Sequence, residues 1–170
     1  MEAQTIFDTL KEQFGDAVIE LQQPEIEPII RIAPESLMEI AEFVKSNADF
    51  QCDYMMCLTG VDLPPPPPPK PKKKKKTDDE DAPVEEAPPA EPEPEPIYEC
   101  AVLYHLYSMT HRHRVTLKVQ MPREDAHVAS VTALWQAADW HEREAYDLIG
   151  VVFDGHPNLT RILLPDDWEG

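Results

Sequence analysis

The stretch "DWHEREAYDLIGVVFDGH", residues 139–156, packs six charged side chains and two histidines beside Trp140 and Tyr146. Carboxylates next to imidazoles are the raw material of acid/base or metal chemistry. The same mixture also suits a surface that grips another protein, or an ordinary capped helix. "HEREAY" is not the H-E-x-x-H zinc motif, because position 145 is alanine. "HRHR" (111–114) offers two histidines without a matching ligand cluster, so a solvated hairpin turn is expected there. Cys52, Cys57 and Cys100 form no C-x-x-C and fit no iron–sulfur or zinc spacing; they read as free thiols in a reducing cytosol. His105 reads as a packed imidazole and His127 as a surface residue of a helix. With five glycines and no G-x-G-x-x-G, P-loop or G-x-S-x-G, nothing here is expected to wrap a phosphate.

The elements that must position these residues follow from their periodicity. A helix over 140–149 is predicted, started by a capping-box-like Asp139/Glu142 pair and closed by Gly150 at C′. Ala145, Tyr146, Leu148 and Ile149 then form its apolar arc, and Arg143, Glu144 and Asp147 its charged arc, with Arg143 and Asp147 paired at i, i+4. Glu142 falls inside the apolar arc. Either it serves the cap, or it meets a cation across a buried contact and needs good pairing there. Residues 151–170 have little periodicity yet carry Phe153, Leu159, Ile162, Leu163, Leu164 and Trp168. Such a tail must wrap its own domain or lie on a partner, where Trp and Arg anchors concentrate binding energy.

Upstream, a helix over 3–14 ends at Gly15, "AVIEL" and "PIIRIA" are short strands, and Leu37, Ile40, Ala41 and Val44 stripe a helix over 34–46. "YMMCLTGVD" (54–62) reads as a strand buried on both faces. In "YECAVLYHLY" Tyr98, Cys100, Val102, Tyr104 and Leu106 share a face. In "HRVTLKVQM" Val115, Leu117, Val119 and Met121 point in and Arg114, Thr116, Lys118 and Gln120 out, the alternation of an antiparallel hairpin. Val128, Val131, Leu134, Trp135 and Ala138 suggest a helix over 125–138. The fold class is therefore α+β: a mixed, largely antiparallel sheet with helices on one face and an irregular C-terminal tail. Residues 1–63 and 97–150 form one domain, 64–96 a disordered insertion in a hairpin loop, and 151–170 an extended docking tail. The insertion holds 13 of the 19 prolines, a lysine block and an acidic block, none of which can pair in a sheet or be buried.

Outside the insertion nine basic residues face 24 acidic ones within a net charge of −18, a poor surface for nucleic acid or an anionic bilayer. No apolar run approaches a membrane span, and the acidic, amphipathic N-terminus lacks the basic region of a signal peptide.

The closing residues carry a resemblance. Glu142–Arg143–Glu144, Asp147–Leu148–Ile149–Gly150, Phe153 with Gly155–His156–Pro157, Arg161–Ile162–Leu163 and Asp167–Trp168–Glu169–Gly170 follow one another in order. This string closely resembles the signature of the 30-kDa (C) subunits of respiratory complex I, NADH:quinone oxidoreductase, and "VLYHLYSMTHRHRVTLKVQMPR" looks like the hairpin of that family. It departs at Ile149, usually Phe, and at Thr160–Arg161, usually two arginines. The insertion is foreign to the pattern. The resemblance implies an α+β subunit of the peripheral arm with no catalytic residue, cofactor or metal of its own. Flavin, iron–sulfur clusters and quinone would sit in partner subunits. Expected partners are the large quinone-site subunit and the iron–sulfur subunits, on the cytoplasmic side of a bacterial plasma membrane. Glu142, Arg143, Glu144, Asp147, His156, Pro157, Arg161 and Trp168 are the expected interface residues. A related ferredoxin-driven complex or membrane-bound hydrogenase would use the same fold. A stand-alone acid/base enzyme built on Glu142, Glu144, Asp147 and His156 lacks a nucleophile–base set or a complete ligand set.

Overall fold

A computed structural model describes residues 2–23, 27–63, 98–165 and 167–168. Helix α1 (Ala3–Phe14) buries Ile6 and Leu10, and a single 3-10 turn at Gly15–Ala17 leads into β1 (Val18–Gln22) and β2 (Ile29–Ile32). A 3-10 turn begun by Pro34 opens α2 (Leu37–Ser46), whose Leu37, Ile40, Ala41 and Val44 are buried on the stripe their spacing defines. Strands β3 (Tyr54–Leu63), β4 (Glu99–Tyr107) and β5 (Arg114–Pro122) follow, then short β6 (His127–Ala129), α3 (Ala138–Ile149) and β7 (Val152–Asp154).

The main sheet runs β1-β2-β5-β4-β3, with β2 and β5 parallel and every other pair antiparallel. Alternation in β4 and β5 sends Cys100, Val102, Tyr104, Leu106, Val115, Leu117, Val119 and Met121 into one core with the buried residues of all three helices. The mixed sheet, its antiparallel majority and its helix-covered face match the class read from the sequence. Leu63 pairs with Glu99, so β3 and β4 form the hairpin whose connection is the Pro/Lys/acid segment 64–96. That segment lies outside the described residues.

Three expectations change. Strand β3 is not buried on both faces: it is an edge strand, and Tyr54 and Met56 are exposed while Met55 and Leu58 are buried. A register shift between Met55 and Cys57 lets it bend at that edge. Thr116 does not face water; it is buried with its hydroxyl 3.1 Å from His105 Nδ1. Residues 125–138 form no helix. Val128 sits in β6, paired with Phe153 of β7, and a turn closed by the Trp135 N–H donating to Val131 O (3.0 Å) carries the chain into α3. Val128, Val131, Trp135 and Ala138 are nevertheless all buried. One helical-type turn plus a short strand reproduces the i, i+3, i+4 spacing. Trp135 fixes the turn by donating its indole N–H to Cys52 O at 3.1 Å.

Candidate functional site

Helix α3 is the platform. It packs on β3 at Gly60, where an added Cβ would lie 3.1 Å from both Ala145 Cβ and Ile149 Cγ1, so only glycine lets helix and strand approach this closely. Gly150 ends the helix at φ +87°, its N–H donating to Tyr146 O at 3.0 Å. The N-terminus differs from expectation. The helix starts at Ala138, its N-cap Ala137 offers no side chain, and Asp139 and Glu142 form no capping box. Both carboxylates turn inward instead, toward the chain that returns after β7.

Glu142 is fully buried, and its Oε1 accepts the Val131 N–H at 2.7 Å. Its Oε2 lies 4.0 Å from His156 Nε2, an imidazole whose side chain is equally sealed. His156 Nδ1 accepts the Asn158 N–H at 3.0 Å, so in the neutral ring Nε2 carries the proton. That N–H faces Asp139 Oδ1 and the Asp139 carbonyl, both at 3.2 Å. Burial pushes the Glu142 carboxyl above its ordinary range, opposed by the Ser130 hydroxyl, the Val131 amide and His156. Burial, with the Glu142 charge, also pushes the Tyr104 phenol well up. The anomalous acid of the apolar arc thus has its hydrogen-bond partner in the Val131 amide, with the imidazole of the tail packed 4.0 Å from its second oxygen. Neither the Glu142 nor the His156 side chain is exposed to solvent, so the pair has no route to a diffusing substrate.

Asp147 holds the tail at its other end. Its Oδ2 accepts the N–H groups of Ile162 (2.9 Å), Leu163 (2.6 Å) and Leu164 (3.0 Å) in succession. Burial works against the charged form, but these three donors and Arg161 outweigh it and hold the carboxyl below its usual range. The expected Arg143–Asp147 pair is therefore absent. Arg143 donates instead from Nε to Thr160 O (3.1 Å) and from Nη2 to Thr160 Oγ1 (2.9 Å), while its guanidinium lies 4.8 Å from the exposed Trp140 ring. Arg161 Nη1 lies 3.5 Å from the Trp168 carbonyl. Glu144 faces solvent, 3.9 Å from His141 Nδ1. Pro157 is exposed, and so are Leu148, Leu163 and Trp168, although Leu148 was expected in the apolar arc.

Of the eight expected interface residues, Glu142, Arg143, Asp147 and His156 lie along the junction of helix and tail, and Glu144, Pro157, Arg161 and Trp168 lie on the surface beside them. Sequence reasoning missed Asp139 as an inward partner, along with Thr160, Tyr104 and the Val131 amide. A backbone N–H has no letter of its own, and only the unpaired Glu142 signalled that a partner existed.

The histidines of the hairpin turn part company. His111 is exposed, with Nε2 2.9 Å from Ala48 O. His113 is not solvated as expected: it is buried with Nε2 3.9 Å from Cys52 Sγ, because β5 carries it under the turn. Burial, reinforced by Asp53, pushes the Cys52 thiol up to about 12, and burial raises Cys100 as well, so neither is a ready nucleophile. Among the described residues no group of three His, Cys, Asp or Glu is placed to hold a metal ion.

Fold and site together define an α+β domain that carries an irregular tail pinned along its last helix. The family model for the respiratory-chain NADH dehydrogenase 30 Kd subunit matches residues 30–170, and the chain belongs to that family. It is 34% identical over 166 residues to the C-type subunit of NADH-quinone oxidoreductase from Chloroherpeton thalassium, covering 96% of this chain and 56% of that protein. With the corresponding protein of Chlorobium phaeobacteroides the identity is 33% over 171 residues, covering 99% and 84%. The chain thus spans little more than half of the first relative and most of the second. The structure of a trypsin-resistant fragment (1-134) of Nqo5 superposes with a TM-score of 0.62 at 24% identity, covering 91% of this chain and 98% of the fragment, a likeness of fold.

Proposed function

We propose that this chain is a core subunit of the peripheral arm of a proton-pumping NADH:quinone oxidoreductase, with an architectural rather than chemical role. It holds the large quinone-site subunit and the iron–sulfur subunits in register, while FMN, iron–sulfur clusters and quinone reside in those neighbours. One observation carries the reading. Asp147 and Arg143 fix the tail backbone from Thr160 to Leu164 on α3 and leave Leu163 and Trp168 exposed at 58% and 56%. Large apolar side chains held outward on a fixed backbone are the usual form of an interface anchor, since little entropy is left to lose on binding. The sealed Glu142–His156 pair supports the same reading, because it can orient the tail but not meet a substrate.

Among the described residues no helix is long and apolar enough to cross a membrane. Membrane attachment through the assembled complex, on the cytoplasmic side of the bacterial plasma membrane, follows from this role. The 64–96 segment is read as an insertion dispensable for assembly, because Leu63 and Glu99 already pair and a short turn would join them. Affinity capture of the tagged chain from detergent-solubilised membranes, with identification of the co-purifying subunits, tests the proposal. The expected result is the quinone-site and iron–sulfur subunits together with NADH:quinone reductase activity. Capture of hydrogenase-type or ferredoxin-linked subunits, or of the chain alone, would overturn it.

A further inference from the structure

A second feature lies at the other end of the sheet, two strands away from the strand that carries α3. A cavity of about 520 Å³ opens where the leading ends of the parallel strands β2 and β5 meet the start of α1. That is within the roughly 300–1,000 Å³ typical of small-molecule sites. Ile6, Ile30 and Val115 give it an apolar wall, and Arg112 and Arg114 stand at its mouth.

The chain carries 33 acidic residues, and two of its arginines meet one directly: Arg31 lies 3.2 Å from Glu20 and Arg123 lies 3.0 Å from Asp62. Among the described residues no carboxylate lies within ion-pair distance of Arg112 or Arg114. Glu27 also lines the cavity and sets one negative charge against the two arginines, its carboxylate 3.6 Å from His105 Nδ1. Two guanidiniums beside an apolar wall, without an ion-pair partner among the described residues, make this a locally less negative place in a protein of net charge −18.

The turn presenting them is locked. Ser108 N–H donates to His113 O (3.0 Å), Arg112 N–H to Ser108 O (2.8 Å) and Met109 N–H to Asp53 Oδ1 (3.0 Å), while His111 is fixed on Ala48. Arg112 is held at φ +55°, a conformation that a non-glycine residue adopts only when its surroundings impose it. His113, 5% exposed, lines the cavity, and its Nδ1 has no hydrogen-bond partner among the described residues. Ala3, in the first turn of α1, also lines the cavity.

We propose that this cavity binds a small phosphate monoester with a short apolar body, the phosphate held by Arg112 and Arg114 and the body lying against Ile6, Ile30 and Val115. Two guanidinium forks match a dianion better than a single carboxylate. The phosphate belongs either to a free ligand or to a lipid head group; the chemistry of recognition is shared.

Calorimetric titration of the full-length chain with hexyl phosphate, inorganic phosphate and hexanol tests this directly. Hexyl phosphate is expected to bind about tenfold more tightly than inorganic phosphate, with no detectable binding of hexanol. Arg112→Gly, which suits the left-handed backbone, combined with Arg114→Ala should weaken hexyl phosphate roughly 30-fold with an unchanged thermal midpoint. Co-sedimentation with phosphatidic acid vesicles separates the sources: arginine-dependent recruitment assigns the phosphate to a lipid, and no recruitment assigns it to a free ligand. No binding of hexyl phosphate at millimolar concentration overturns the proposal. So does binding that ignores the two arginines, or inorganic phosphate binding as tightly as hexyl phosphate.

Discussion

The sheet core and the α3–tail junction are held together by different forces. Between the sheet and the helices the interior is mostly Val, Leu, Ile, Met, Phe and Ala, with Tyr104, Trp135 and two cysteines among them, and its stability grows with area removed from water. Along α3 the irregular chain is held by carboxylates accepting backbone N–H groups: Glu142 takes Val131, in the turn before the helix, and Asp147 takes Ile162, Leu163 and Leu164 of the tail. The first kind of contact is spread over many residues. The second is concentrated in a few atoms, so one substitution can free the tail and leave the domain folded. A surface meant to meet a partner is well served by that separation.

The contrast predicts a ranked set of losses. Leu117→Ala, in the middle of the central strand β5 and 0% exposed, should cost about 2–5 kcal/mol in denaturant unfolding. A loss under about 1 kcal/mol would mean the core is looser than its burial suggests. Glu142→Ala orphans the Val131 amide and should cost about 1–3 kcal/mol, with Glu142→Gln costing less because an amide oxygen can still accept that N–H. Equal losses for both substitutions would remove the hydrogen bond from the explanation.

The two acids also differ in the sign of their pH dependence. The folded state raises Glu142 above its usual 4.5, so it binds a proton more readily when folded. Its contribution is most favourable below pH 4.5 and declines as pH rises through the folded value. Asp147 is lowered from 3.8, so its contribution is present above pH 3.8 and fades as pH falls below it. The stability advantage of wild type over Glu142→Gln should therefore shrink as pH rises above 4.5. Asp147→Asn is the milder lesion globally. It should leave the main unfolding transition in place while the Ile162, Leu163 and Leu164 amides exchange faster with solvent, and this difference should vanish at the acid end. Unchanged exchange at neutral pH would mean the carboxylate is not what pins the tail.

The same division explains what was legible in the letters. The stripe of Leu37, Ile40, Ala41 and Val44 and the alternation of Val115, Leu117, Val119 and Met121 are periodic, and area burial reads periodicity directly. The helix expected over 125–138 failed because a strand residue and a hydrogen-bonded turn can imitate helical spacing. Asp147 looked like the partner of Arg143 because both sit on one helix face. Its real donors are backbone amides 15 to 17 residues on, which no side-chain pattern encodes. Glu142 lay between these cases: its misplacement on the apolar arc was visible, and the identity of its neighbours, the Val131 amide and His156, was not.

The central claim is that the pinned tail is a docking surface. Capture of tagged wild type and of the Leu163→Ala/Trp168→Ala double variant from membranes prepared in parallel tests it most directly. Both side chains are more than half exposed, so the variant should fold with an unaltered thermal midpoint. It should nonetheless bring down far less of the quinone-site and iron–sulfur subunits than wild type does. Equal recovery of those subunits by the two proteins would contradict the claim.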